Sequence, residues 1–215
     1  MTERYTEANF GLTALTAQFH QGWGWNGTTV EDLVRGVADS YDGAGARSLL
    51  DDVLRLLESP LADSAITGVW NAASGGEYRI DRLGIDGRDW MRRMAEICVQ
   101  RIRRDDPAFA VSIPTPASDE LAEAVLDELR LIGPALAAAA ASKDPQVSGL
   151  VPALELIVTT AGPDLGFRLL LRILAKYWVP IDRPQYDRML ALGEALDYGE
   201  DLVNDVHFLA DMDAE

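Results

Sequence analysis

Cysteine is almost missing from this chain of 215 residues: Cys98 stands alone, so no intrachain disulfide can form. It falls in the apolar-periodic run WMRRMAEICVQRI and reads as a buried thiol filling a helix face. No base or helix N-terminus is visible beside it to activate the sulfur. A single cysteine fits a reducing compartment. Histidine is nearly as scarce, at His20 and His207 only, and lysine occurs only at positions 143 and 176. The opening MTERYTEANFGL has no basic start followed by an apolar core, and nowhere do about 18 uncharged apolar residues run together. A cytoplasmic chain with no signal peptide and no membrane span is expected.

The familiar catalytic signatures are missing too. There is no G-x-S-x-G elbow, no G-x-x-x-x-G-K-[ST] loop and no G-x-G-x-x-G after a strand. Zinc sites lack their H-E-x-x-H, and Cys98 has no second thiol. A helical di-metal centre wants Glu-x-x-His, but Asn204 stands three residues before His207. The carboxylate pairs Asp51-Asp52, Asp105-Asp106 and Glu200-Asp201 read as solvated helix ends or linker. The expectation is a protein without catalysis, metal or cofactor. The alternatives are a helical scaffold that binds another cellular protein, and a metal-dependent helical enzyme working through carboxylates.

What the chain does have is apolar residues, at 48%, and acid, with a formal net charge of −16. The acid is concentrated. Residues 1–104 hold 12 Lys/Arg against 15 Asp/Glu, whereas residues 105–215 hold 7 against 20. Direct nucleic-acid binding requires a basic surface and is disfavoured. A basic protein partner suits the acid, and solubility alone is the competing explanation.

Apolar spacing predicts helices throughout. They run over about 6–20, 29–39, 46–58, 63–70 and 86–104, with Thr28 or Thr29 capping the second. A small hairpin near 78–83 is an option. The segment DDPAFAVSIPTPAS has three prolines and no period, and reads as a linker over 105–118. Beyond it Ser118 caps a helix over 119–132, and Gly133-Pro134 interrupts before an alanine-rich continuation to Lys143. Further helices follow over 145–161, 163–178, 185–196 and 200–209. The fold expected is all-α, a helical bundle or short α-solenoid of helical hairpins. The units are 1–104 and an acidic 119–215, packed together or separate.

The run Phe19-His20-Gln21-Gly22-Trp23 follows a helix. After it come TTVEDLVRGVADS, LLDDVLRLLES and IDGRDWMRRMAEICVQRIR. This series resembles the immunity proteins of contact-dependent growth inhibition systems, over about residues 6–104. That family carries an aromatic-His-Gln-Asp-Trp signature, later a tyrosine-containing turn and a terminal Trp-bearing helix. Phe19, His20, Gln21 and Trp23 match the signature, Gly22 stands in place of the usual Asp, Trp90 matches the late Trp, and Tyr78 loosely echoes the turn. The resemblance implies neutralisation of a cognate toxin domain by tight binding, without catalysis. Such toxins are often nucleases and hence often basic.

Two readings stay open for the turn from Phe19 to Trp25: interface anchors, or tryptophans folded over a helix pair. For toxin contact, Glu120, Glu123 and Asp127 share a helical face, and Asp197, Glu200, Asp201 and Asp205 form a second cluster. A solvated helix face is the alternative for each.

Overall fold

The computed structural model describes residues 9–113, 121–143 and 149–210. Among them lie α1 (Gly11–Ala17), α2 (Val30–Asp39), α3 (Ala44–Glu58), α4 (Asp63–Ala73), α5 (Gly87–Asp105), α6 (Ala122–Lys143), α7 (Leu150–Thr160), α8 (Pro163–Tyr177), α9 (Arg183–Ala195), α10 (Glu200–Asn204) and α11 (His207–Ala210). No strand occurs among the described residues, so the fold is all-α. No described helix is long and apolar enough to cross a membrane.

Local chemistry sets most helix starts. Thr29 accepts the Asp32 amide while the Asp32 carboxylate accepts from the Thr29 amide and hydroxyl, a reciprocal capping box that opens α2. Asp86 caps α5 through the Asp89 amide, and Asp182 caps α9 through that of Gln185. Pro163 and Pro184 occupy the first turns of α8 and α9, where the missing N–H has no intrahelical partner to lose.

Several boundaries differ from the sequence reading. Gly133-Pro134 does not interrupt α6: Pro134 is exposed inside a continuous 22-residue helix. It forfeits one backbone bond, and the Leu- and Ala-rich turns on either side carry the helix through. The option of a hairpin near Tyr78 gives way to a 3-10 turn at Asp81–Leu83. The last helix divides because Val206 N–H bonds Val203 and Leu209 N–H bonds Val206, i to i+3 contacts that tighten the chain between α10 and α11. Ser118, Glu120 and residues 114–118 of the linker lie outside the described residues, as does Pro145.

The two acid-unequal segments pack on one another. Within the first, α3 pairs with α5, α2 packs on both, and α1 packs on α3 and α2. Within the second, α6, α7 and α8 pack mutually and α9 rests on α6. α4 joins them, packing on α5 and also on α7 and α8, while α1 touches α8. Buried side chains of both segments belong to one hydrophobic cluster. The start of the linker is also engaged: Arg47 stands over the Phe109 ring at 5.2 Å, and the Phe109 carbonyl accepts from Arg103.

Candidate protein-binding face

The seam between the segments is built from charges. Arg168, 1% exposed, donates to both oxygens of Asp52 at 2.6 and 3.0 Å and to the Phe10 carbonyl at 3.0 Å. Arg55 donates to Asp164 at 2.8 Å. Asp52 also accepts the Leu12 amide at 2.8 Å, which places a carboxylate at the start of α1. Gly11 makes that approach possible, since a Cβ there would stand 2.1 Å from the Asp52 carboxylate. Burial alone would lower the Arg168 pKa, but Asp52 outweighs it and raises the pKa, so the guanidinium stays charged. The Asp51-Asp52 pair is therefore not a solvated helix end: Asp51 is exposed and Asp52 is buried in the core stripe of α3.

Arg172 and Lys176 continue the same face of α8. They donate to the carbonyls of Thr16 at 2.9 Å and Phe19 at 2.6 Å, so three cations four residues apart clamp α1 along its length. Burial lowers Arg172 to about 10, and burial with repulsion from Arg172 lowers Lys176 to about 8. Both remain protonated at neutral pH.

The signature residues divide. Phe19 is buried and stacks on Tyr78, with ring centroids 5.5 Å apart, and meets Trp23 and Trp70 edge-on at 5.2 and 5.5 Å. Trp90, also buried, meets Trp70 at 5.2 Å. Phe19, Trp23 and Trp90 thus serve an aromatic core. His20 and Gln21 are exposed, with His20 Nδ1 3.1 Å from the Gln21 carbonyl. Gly22 has φ +93°, and a Cβ on it would lie 2.8 Å from the Trp25 ring. Cys98 is buried, and burial pushes its thiol up to about 12.

The acidic candidates sit on α6, α9 and the chain around α10. Glu123 and Asp127 are exposed and share Arg130, at 3.3 and 2.7 Å. Glu120 lies outside the described residues, and nothing is described of the Glu200 side chain. Asp205 accepts from Asn9 and faces the field of Arg172, so part of its charge is spent inside the fold. Asp197 and Asp201 are exposed. Asp197 takes the left-handed position at the end of α9, φ +59°, with Tyr198 N–H returning to the Gly193 carbonyl at 2.9 Å. This is a Schellman closure with Asp where Gly is usual. Tyr198 anchors that turn by donating to the Asp164 carbonyl at 2.8 Å.

Two grooves flank the exposed side of α9 and meet at Ala191. The one toward α10, 620 Å³, is lined by Asp187, Leu190, Glu194, Tyr198 and Asn204. The one toward α6, 480 Å³, is lined by Asp127, Glu128, Arg188 and the 62% exposed Leu131. Of the predicted clusters, Asp127 lines the groove toward α6, whereas Asp197, Asp201 and Asp205 line neither groove. Glu194, which the sequence reading did not single out, lines the groove toward α10.

Cations are the scarce component of this face. Of the seven in residues 105–215, Arg168, Arg172 and Lys176 turn inward, and Lys143 donates to the Lys176 carbonyl. Arg130, Arg183 and Arg188 pair with neighbouring carboxylates. Glu194, Asp197 and Asp201 are left without a cationic partner among the described residues. No group of three or more His, Cys, Asp or Glu side chains among the described residues is placed to hold a metal ion. In comparisons with known proteins, no family model, no curated protein and no solved structure matches the chain.

Proposed function

We propose that this chain is an immunity protein of the contact-dependent growth inhibition type, which binds a basic toxin domain and occludes it without catalysis. The observation that carries the reading is the disposition of charge. The second segment has few cations, and three of them are drawn into the seam with α1. Asp127, Glu128 and Asp187 of the grooves are paired with Arg130, Arg188 and Arg183, whereas Glu194 in the groove toward α10 and the exposed Asp197 and Asp201 have no cationic partner among the described residues. Such a field speeds the approach of a basic protein and penalises acidic competitors. The resemblance over Phe19, His20, Gln21 and Trp23 supplies the family. Because Phe19, Trp23 and Trp90 serve the core, the reading gives toxin contact to the second segment.

Binding of the purified chain to the toxin domain encoded by the adjacent gene tests this. Affinity is expected to fall as salt rises from 50 to 500 mM on the order of the Debye screening of exposed charges. Glu194→Arg with Asp201→Arg should weaken it further. Absence of binding, or binding indifferent to both salt and charge reversal, contradicts the proposal. A second reading, a scaffold seating a cellular peptide, draws on the exposed Leu131 in the α6–α9 groove. It would show as peptide capture in that groove by a chain that leaves the toxin active.

A further inference from the structure

Trp178 follows α8 at φ 56°, ψ 44°. This left-handed position is normally given to glycine, because a side chain there crowds the backbone. Val179 N–H returns to the Leu174 carbonyl at 3.2 Å and holds the turn. The Trp178 ring fills no cavity: it is 59% exposed and meets the 39% exposed Phe208 edge-on, with centroids 5.2 Å apart. Val179, Ile181 and Leu209 supply the buried packing beneath, and Ile181 N–H bonds the Leu209 carbonyl, which keeps α11 beside this turn. A strained backbone that presents a large aromatic face to solvent is not explained by folding.

The setting is acidic. Asp201, Asp205 and Phe208 are exposed, while Leu202, Val206 and Leu209 are buried; Asp205 accepts from Asn9 and faces Arg172, and Asp201 has no cationic partner among the described residues. Lys176, two residues before Trp178, is turned away onto the Phe19 carbonyl. No cation stands over either ring among the described residues.

We propose that Trp178 and Phe208 form an arginine-accepting hot spot, whose occupant is a guanidinium of the basic partner protein. The inference rests on the proposed basic partner and locates its anchor. A guanidinium stacks flat on an indole while its edge N–H groups bond a carboxylate, which the compact lysine ammonium cannot do together. Exposed aromatic faces on a segment whose Asp201 has no cationic partner among the described residues fit that side chain.

The test follows indole N–H signals by NMR while the full chain is titrated with nona-arginine, nona-lysine or nona-glutamate peptides. Trp178→Phe assigns the Trp178 signal, and Trp25, 84% exposed on the other segment, is the internal control. The expected result is a saturable shift of Trp178 but not Trp25 with nona-arginine, weaker with nona-lysine and absent with nona-glutamate. Trp178→Gly, which suits the left-handed backbone, should weaken nona-arginine about tenfold. Binding that leaves the Trp178 signal still, moves Trp25 equally, or survives Trp178→Gly overturns the hot spot and leaves the acidic face standing. If nona-arginine does not bind at all, the charge-led reading falls with it.

Discussion

Asp52 and Arg168 show what a single residue decides in this molecule. Each is almost fully buried, and each satisfies a charge that the other would otherwise strand. Arg168→Met is expected to cost ~3–5 kcal/mol of unfolding free energy by leaving Asp52 uncompensated. Adding Asp52→Asn should recover a good part of that loss. Urea denaturation of the two singles and the double checks it, and independent, additive losses would contradict the pairing. Gly22 is a smaller case: Gly22→Asp should cost ~1–2 kcal/mol through its left-handed φ. An unchanged Tm would show that the turn relaxes freely.

Lys176 and Cys98 give opposite pH signatures. With Lys176 at about 8 in the folded state, the unfolded chain binds more protons above pH 8, and stability rises with pH. Cys98, raised from 9.0 to about 12, makes the folded state bind more above pH 9, and stability falls there. The urea midpoint of a Cys98→Ala chain should therefore climb from pH 8 to 9.5, and adding Lys176→Met should flatten that climb. A climb that persists without Lys176 assigns it elsewhere. The sequence reading takes Asp51-Asp52 as solvated, although Asp52 sits three residues after Leu49 and four before Leu56, a spacing that marks the buried stripe, and Arg168, Arg172 and Lys176 recur every four residues. What no local pattern carries is the partner, since Asp52 and Arg168 are 116 positions apart.

Among the elements, periodicity located the helices where their starts are chemically marked, as at Thr29 and Asp86, whereas the start of α9, predicted at 185, lies at Arg183 behind the Asp182 cap. Periodicity failed where a local breaker met a strong surrounding propensity. Pro134 is carried inside α6 at an exposed position, so Pro134→Ala should stabilise the chain by about 1–3 kcal/mol, the cost of a missing helical bond and ring clash. Thermal unfolding decides this, and a lower Tm would mean that the proline sets a bend which packing requires. Val206 and Leu209 keep the apolar spacing across the break, so the sequence predicts one helix over 200–209 where α10 and α11 are separate. Only the i to i+3 bonds of the turn reveal the division.

For the whole molecule, the seam joining the segments also shapes the charge of its surface. Cations spent on α1 cannot screen the face of α6, α9 and α10, so holding the chain together and presenting acid outward follow from one arrangement. The sequence carried the imbalance of charge between its segments, but could not show that three of the few cations point inward, or that Glu194 lines a groove beside α10. The proposal that this face neutralises a basic toxin is tested most directly by growth of cells co-expressing the chain with the toxin domain of the adjacent gene. Growth is expected with the wild-type chain and arrest with a folded Glu194→Arg, Asp197→Arg, Asp201→Arg variant. Arrest in the presence of the wild-type chain, or full rescue by the variant, would contradict it.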